Sequence, residues 1–406
     1  MTLIFFLWLM IWGGMFSGIY NLQSSYMHSS AFAYFNSLRC LLPIVAAFIS
    51  LLWIMGKRAK FPLSRVPTGY FFYYCVLGIV NSFLFSPDTA TSIYWAVLYL
   101  SPLLVIWIEM DSPDSLSNIR RLLNLNYFIF IAILIFLLPE AFKFGLGKVS
   151  HNYFYQLPFG LGEMRSNGVG RFALVATILS FTRFYLTKNL SQRLRWLLLL
   201  VPSVYVLAQT QSRTALLGLA VAGILMVTMR GMKLAFLIIG PLVAYLIYLS
   251  GFQWRAQGSF DELLYIANRQ SIWDRTIDQV KKSHYLGWGF HADRLLLDSE
   301  HVHNSYLHSM IHGGILGTLF FIMAIISAWV LIIKNRLLKR IRYIRGPDQS
   351  LLMEGVMLLG FMTERSFFES TAAFYGVDLL LLVPVVTYLY LWVANHPKET
   401  DSPAAA

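Results

Sequence analysis

The sequence predicts an all-α polytopic integral membrane protein of about twelve transmembrane helices, and three observations carry that expectation. The 406-residue chain is 57% hydrophobic and only 13% charged, with a mean hydropathy of +0.60. A soluble domain carries about 25% charged residues, so this chain has too little charge to cover a water-exposed particle of its size. Apolar runs close to the ~20 residues that cross a bilayer recur along nearly its whole length. The basic residues between those runs fall at alternating positions, as the positive-inside rule requires. Together these exclude a cytosolic enzyme, a disordered chain and a disulfide scaffold. The two cysteines, Cys40 and Cys75, both lie in apolar runs and read as buried packing residues. The net charge of +12 is accounted for by the basic loops of a membrane protein and does not call for nucleic acid.

The first span, 3–21, lacks a basic leader and an Ala-x-Ala cleavage site and reads as a retained helix. Span two, 32–55, is followed by Lys57, Arg58, Lys60 and Arg65; spans three and four, 68–86 and 92–109, are followed by Arg120 and Arg121. After spans five and six, 123–139 and 167–187, come Lys188, Arg193 and Arg195. Spans seven and eight, 196–211 and 214–229, lead to Arg230 and Lys233. Spans nine and ten, 234–252 and 304–333, lead to Lys334, Arg336, Lys339, Arg340, Arg342 and Arg345. Spans eleven and twelve, 350–366 and 371–394, end at Lys398. Every short-loop cluster follows an even-numbered span, which puts both termini on the cytoplasmic side; Lys281 and Lys282 lie in a long loop on the other face. Residues 1–395 form a single transmembrane domain, and 396–406 read as a disordered cytoplasmic tail. The outer face carries two loops. One, 140–166, is aromatic (Phe142, Phe144, Tyr153, Phe154, Tyr155, Phe159), and the other, 253–303, is the longest polar stretch and functional by the usual logic of long loops on a compact bundle.

Three places put ionisable groups at the outer boundary. Arg213, in Gln209-Thr-Gln-Ser-Arg213-Thr between spans seven and eight, starts a helix whose Ala215, Gly218, Ala222 and Gly223 favour close packing and with it a buried position for Arg213 over a lipid-facing one. Residues 262–282 form an amphipathic helix on which Arg269, Trp273, Ile277 and Val280 share a face. A guanidinium there suits bidentate contact with phosphate, and the indole suits stacking on a sugar or packing inward. The third place is His301-Val-His303-Asn304-Ser-Tyr-Leu-His308-Ser-Met-Ile-His312, entering span ten. His308 and His312 share a face, yet no acidic or thiol residue is spaced as in a zinc motif, so no metal is expected. A catalytic imidazole is the sharper reading, because its ordinary protonation equilibrium lies near neutrality.

Arg213, Arg269-Gln-Ser-Ile-Trp273, Gly287-Trp-Gly289-Phe, and His303-Asn304 followed after nine residues by Gly314 and after two more by Gly317 occur in one order. In that order the chain resembles the O-antigen ligase and O-antigen polymerase (Wzy) superfamily of bacterial cell-surface polysaccharide assembly, over about residues 165–333. The resemblance implies a GT-C-like membrane glycosyltransferase in the bacterial inner membrane with its site facing the periplasm. It also implies metal-independent, inverting transfer from an undecaprenyl-diphosphate-linked glycan, without a cofactor. By position, Arg213 and Arg269 would bind the donor diphosphate and stabilise the leaving group, and His303 would act on the acceptor hydroxyl. Trp273, Asn304 and Arg165 join the arginines as candidate substrate contacts. The expected acceptor is a growing glycan, making the chain a polymerase of repeat units (favoured by the aromatic loop), with lipid A–core as the alternative (ligase, favoured by the His303–Gly317 spacing) and a protein acceptor third. A chain-length regulator and a flippase are the implied partners. From a different class, a polysaccharide-lipid transporter is kept open by Arg39, Arg171, Asp378 and Glu354, which fall within spans.

Overall fold

The computed structural model describes residues 2–15, 38–59, 67–143, 154–157, 163–230 and 267–397. The expected ninth span, much of both outer loops and the tail from 398 lie outside these residues, as do Lys60, Arg65, Phe144, Tyr153, Phe159, Lys233 and Lys398. The described chain is almost entirely helical. It runs α1 (Thr2–Gly13), a 3-10 turn (Arg39–Leu41) leading into α2 (Leu42–Lys57), α3 (Pro67–Leu84), α4 (Thr89–Met110) and α5 (Ser115–Ala141). A two-stranded antiparallel hairpin, β1 (Phe154–Gln156) and β2 (Glu163–Arg165), precedes α6 (Ser166–Leu186), α7 (Leu190–Thr210) and α8 (Arg213–Arg230). The chain continues with α9 (Ala267–Lys282), α10 (Ala292–Leu296), α11 (Ser305–Lys334), α12 (Leu337–Arg340), α13 (Pro347–Arg365) and α14 (Val377–Asn395). Each expected span other than the ninth corresponds to one of these helices. Seven of the described helices are long and apolar enough to cross a membrane. The twelfth span starts later than expected, because residues 371–376 form a turn before α14.

A helix that is apolar all round has no face to give to water and goes to the centre of the bundle. α14 is of this kind, buried at every position from Val377 to Leu389, and α13 beside it is buried without interruption from Leu351 to Met362. The small residues of α8 do what their size suggests. Gly218 meets Phe361 of α13, while Gly360 of α13 meets Leu225 and Val221 of α8, so the two backbones approach closely.

The charges within spans find partners on other helices. Asp378 of α14 receives Arg171 of α6 at 2.9 Å and Arg365 of α13 at 3.3 Å. Glu354 of α13 receives Arg183 of α6 at 2.8 Å. Arg39 donates to the carbonyl of Met15 at 2.9 Å. Asn126 of α5 accepts the indole N–H groups of Trp8 and Trp12 at 2.7 and 2.8 Å and donates to the Leu380 carbonyl at 2.7 Å. An unpaired polar group is expensive inside a bilayer, so these pairs fix which helices neighbour one another. The four charges that kept the transporter reading open are thereby engaged in holding the bundle together.

Two ends of the bundle can be told apart by these contacts. At one end Arg120 pairs with Asp348 at 2.5 Å and Arg340 donates to the His396 carbonyl at 2.8 Å. That end gathers basic segments the sequence assigns to the cytoplasmic face. At the other, the start of α6 reaches the turn before α14 through Asn167 and Glu369, and the start of α8 reaches Arg365 through Thr214. Sidedness is testable by single cysteines, since Cys40 and Cys75 are both buried. A cysteine at Asp298, whose side chain is 88% exposed, should react with an impermeant thiol reagent from outside the cell. One at Tyr343, 78% exposed at the basic end, should react only after permeabilisation. The reverse pattern would invert the assignment.

Candidate functional site

The site grows from the start of α11. Asn304 is its N-cap, the side-chain oxygen accepting the backbone N–H groups of Tyr306 and Leu307 at 3.0 and 3.1 Å, which satisfies donors that a helix start leaves orphaned. Its amide nitrogen donates to the Phe367 carbonyl at 3.1 Å. Ser305 follows with a backbone bond to Ser366 and side-chain bonds to the carbonyls of Glu369 and Thr371 at 2.9 and 3.0 Å. The turn between α13 and α14 is thus stitched to the start of α11. His303, one residue before the cap, has a left-handed backbone with φ of 50°, a conformation that costs an L-residue about 1–2 kcal/mol. The cap and the stitched turn hold it there.

Glu369 stands on that turn, and its carboxylate is the hub of the site. Oε2 meets His303 Nδ1 at 2.8 Å; Oε1 accepts from Asn167 of α6 at 3.2 Å and from Arg269 of α9 at 3.4 Å. Arg269 also donates to the Phe368 carbonyl. Burial by itself would raise the Glu369 carboxyl, but the His303 hydrogen bond and the Arg365 guanidinium outweigh it and hold the group well below the usual carboxylate range. An ionised carboxylate only accepts, so the proton of a neutral His303 sits on Nδ1 and Nε2 carries the lone pair. The side chains of His303 and Arg269 each remain 30% exposed, so both are within reach of a ligand.

Arg213 is the first residue of α8 and is exposed, which corrects the buried position expected from the small residues of that helix: their close contact with α13 begins a turn and more further on, at Gly218. Its neighbour Thr214 accepts from Arg365 at 3.4 Å, placing the α8 start at the same end as Glu369. Trp273 turns inward: its indole donates to the Val302 carbonyl at 2.9 Å and its ring packs with an apolar cluster that includes Val280, Leu297 and Ile311. It positions the segment carrying His303. The buried face of α9 includes Thr276 and Val280, whereas Ile277, expected there, is exposed; the helix is rotated from the sequence reading by about one position. Arg165 ends β2, exposed, with its guanidinium 5.1 Å from the Phe154 ring. In the aromatic loop Tyr155 is fully buried.

The expectation that no acidic residue partners the histidine run is corrected. Asp293 of α10 is buried with its carboxylate 3.0 Å from His301 Nδ1 and 3.7 Å from Nε2 of both His308 and His312. Its place eight residues before His301 matches no motif spacing; only the folding of α10 against α11 brings it there. Glu369 was missed for a similar reason, being 66 residues from His303. Its signal was a carboxylate in an otherwise apolar outer turn, where an ionisable residue is functional by default.

The glycines have a concrete task. α11 is broken at Gly314 (φ 65°, ψ −162°), and the segment after α9 lies against the break. Trp288 and Gly289 donate to the carbonyls of Ile311 and His312 at 2.7 and 2.9 Å, and Ile315 donates to Tyr285 at 3.0 Å. A Cβ at Gly314 would run into the Tyr285 and Leu286 carbonyls, and one at Gly287 (φ 89°) would stand 2.5 Å from the Gly314 nitrogen. Gly314→Ala should therefore sharply reduce monodisperse protein extracted in detergent. Gly317→Ala, whose Cβ would meet Tyr74 at 3.4 Å, should be recovered close to the wild-type level. Equal recovery of both variants would refute the packing account.

Residues 197–322 match the Wzy_C family model, described as O-antigen ligase. This region belongs to the O-antigen ligase/Wzy superfamily. The match runs from within α7 through α8, α9 and α10 into α11, so the matched region contains Arg213, Arg269, Trp273, His303, Asn304, Asp293 and the Gly314 break. Glu369 and Arg165 lie outside it. A comparison with curated proteins returned no match.

Proposed function

We propose that the chain is a membrane glycosyltransferase that moves a glycan from an undecaprenyl-diphosphate donor to a saccharide hydroxyl on the periplasmic side of the bacterial inner membrane. The observation that carries this is the shared carboxylate. Glu369 orients His303 through Nδ1 and engages Arg269 on the same side, so a base and a cation are held on one rigid unit. His303 Nε2 removes the acceptor proton as the oxygen attacks the anomeric carbon of the donor sugar, and the bond to the diphosphate breaks with inversion. Arg269 and Arg213 receive the charge that develops on the leaving group, and fixed cations aimed at developing charge are typically worth 10²–10³ in rate each. A lipid-linked donor accounts for a transferase built inside a bilayer. The engagement of Arg39, Arg171, Asp378 and Glu354 in helix–helix contacts favours this reading over transport.

The acceptor separates polymerisation of repeat units from ligation to lipid A–core. Polymerisation is favoured by the aromatic outer loop, although Tyr155 of that loop packs inward; ligation is favoured by the family description and by the full His303–Gly317 spacing. Purified protein supplied with lipid-diphosphate glycan alone should make longer lipid-linked chains if it polymerises. If it ligates, a new glycosidic bond should form only when lipid A–core is added. Arg269→Lys should lower transfer in either assay despite keeping its charge, because an ammonium lacks the bidentate fork. Movement of labelled glycan lipid across vesicles with no new glycosidic bond under either condition would refute the transferase reading.

A further inference from the structure

Beside His303, on the far side of His301, lies a second constellation for which the transfer chemistry has no use. Asp293, His301 and His308 each offer a donor atom, and these atoms lie within 4.8 Å of one another. His301 and His303 are close, with ring centroids 5.0 Å apart, yet their partners differ: Glu369 holds His303, and Asp293 holds His301. Asp293 and His308 are almost completely buried, and His308 Nε2 has no hydrogen-bond partner among the described residues. That nitrogen faces Asp293 Oδ1 across 3.7 Å, too far for a hydrogen bond. Its other nitrogen, Nδ1, is engaged by Ser370 Oγ at 2.8 Å, the kind of outer contact that orients a metal-binding imidazole.

His312 is excluded from the donor set by its own bonds. Tyr74 donates its proton to the Ala373 carbonyl at 2.6 Å, so at 3.2 Å the same hydroxyl accepts from His312 Nδ1. His312 Nε2 then accepts the His291 backbone N–H at 3.2 Å, and its lone pair is taken. What remains is one carboxylate and two imidazoles, a common three-ligand set for a catalytic-type zinc ion, which keeps a fourth position open. A tetrahedral ion with bonds of about 2.0–2.1 Å holds its donors about 3.3 Å apart; the carboxylate stands 3.0 Å from His301 through Oδ2 and 3.7 Å from His308 through Oδ1, and all three donors lie within 4.8 Å, so small side-chain adjustments bring them to an ion. The group borders a cavity of about 380 Å³ whose wall also includes Trp95, Ser299 and Phe374.

We propose that Asp293, His301 and His308 bind a zinc-class divalent metal whose open position faces this cavity, separate from the His303–Glu369–Arg269 centre. On binding, the metal takes the place of the proton between His301 and Asp293, and the neutral His301 ring carries its proton on Nε2 instead, with no net release. The fourth position takes a water or an oxygen of a molecule in the cavity. The glycosyl transfer proposed above does not run through this ion, so the site stands or falls independently of that reaction.

The test uses the full chain in nanodiscs, purified through a tag without histidine, stripped with chelator and titrated with Co²⁺. The expected result is visible d–d absorption of a four-coordinate ion at one equivalent per chain, displaced by Zn²⁺. Asp293→Asn and His308→Gln should abolish the spectrum. Ser370→Ala, which keeps every ligand and removes only the orienting hydroxyl, should weaken binding about 10–100-fold. His312→Gln should retain the spectrum. Absence of a stoichiometric signal in the wild-type chain would overturn the proposal, and so would a signal unchanged in Asp293→Asn.

Discussion

His303→Ala is expected to lower single-turnover glycan transfer by about 10²–10⁴, the usual contribution of a positioned acid–base group, while binding of the lipid-diphosphate donor stays near the wild-type level. The separation follows from the geometry. His303 is held through Nδ1 by Glu369 at 2.8 Å and keeps a partly exposed ring, so in the proposed mechanism removing the ring removes a proton acceptor and no cation. The fold should tolerate the change, because the Asn304 cap and the Ser305 bonds that join α11 to the α13–α14 turn do not pass through the imidazole. Arg269→Ala and Arg213→Ala should show the opposite pattern, with donor binding impaired. Donor binding and single-turnover transfer measured on the same monodisperse preparations decide the matter. Wild-type turnover in folded His303→Ala protein would remove His303 from the chemistry.

The second large effect is expected at Glu369, a positioning residue that acts through His303 and Arg269. Glu369→Gln keeps the size of the side chain and removes its charge. The amide can present an N–H group to His303 Nδ1, which stabilises the tautomer with its lone pair on the wrong nitrogen. Loss of an orienting carboxylate of this kind can cost as much as about 10⁴ in turnover, and 10²–10⁴ is the range expected here. The decrease should appear mainly in turnover, with donor affinity falling less than in Arg269→Ala, because Arg269 keeps its bond to the Phe368 carbonyl. Glu369→Asp should recover part of the loss, which a purely structural role for the turn does not require. Turnover unchanged in Glu369→Gln would show that the carboxylate does not orient the base.

Much of the architecture could be read from the sequence by itself. The helices follow from the length of the apolar runs, and the close packing of α8 from Ala215, Gly218 and Ala222, though not that α13 is its neighbour. These are local properties: a run of ~20 apolar residues meets the bilayer requirement whatever the rest of the chain does. His303, Asn304 and Arg213 stood out as candidates because each is a polar residue at the edge of an apolar segment, and Arg269 because it is the charge on the apolar face of an amphipathic helix. Tertiary structure alone decided the partners. Glu369 reaches His303 across 66 positions and Asp293 reaches His301 across eight, neither at a spacing that a helix or a metal motif fixes. Trp273, open in the sequence between stacking on a sugar and packing inward, was given its packing role by the approach of Val302, and Asp378 was shared between Arg171 and Arg365 by the way α6, α13 and α14 meet. The physical reason is the same in each case. Hydrophobic length is satisfied by the segment that carries it, whereas a buried charge is satisfied only by a group on another element, and which group that is depends on how the elements close around it.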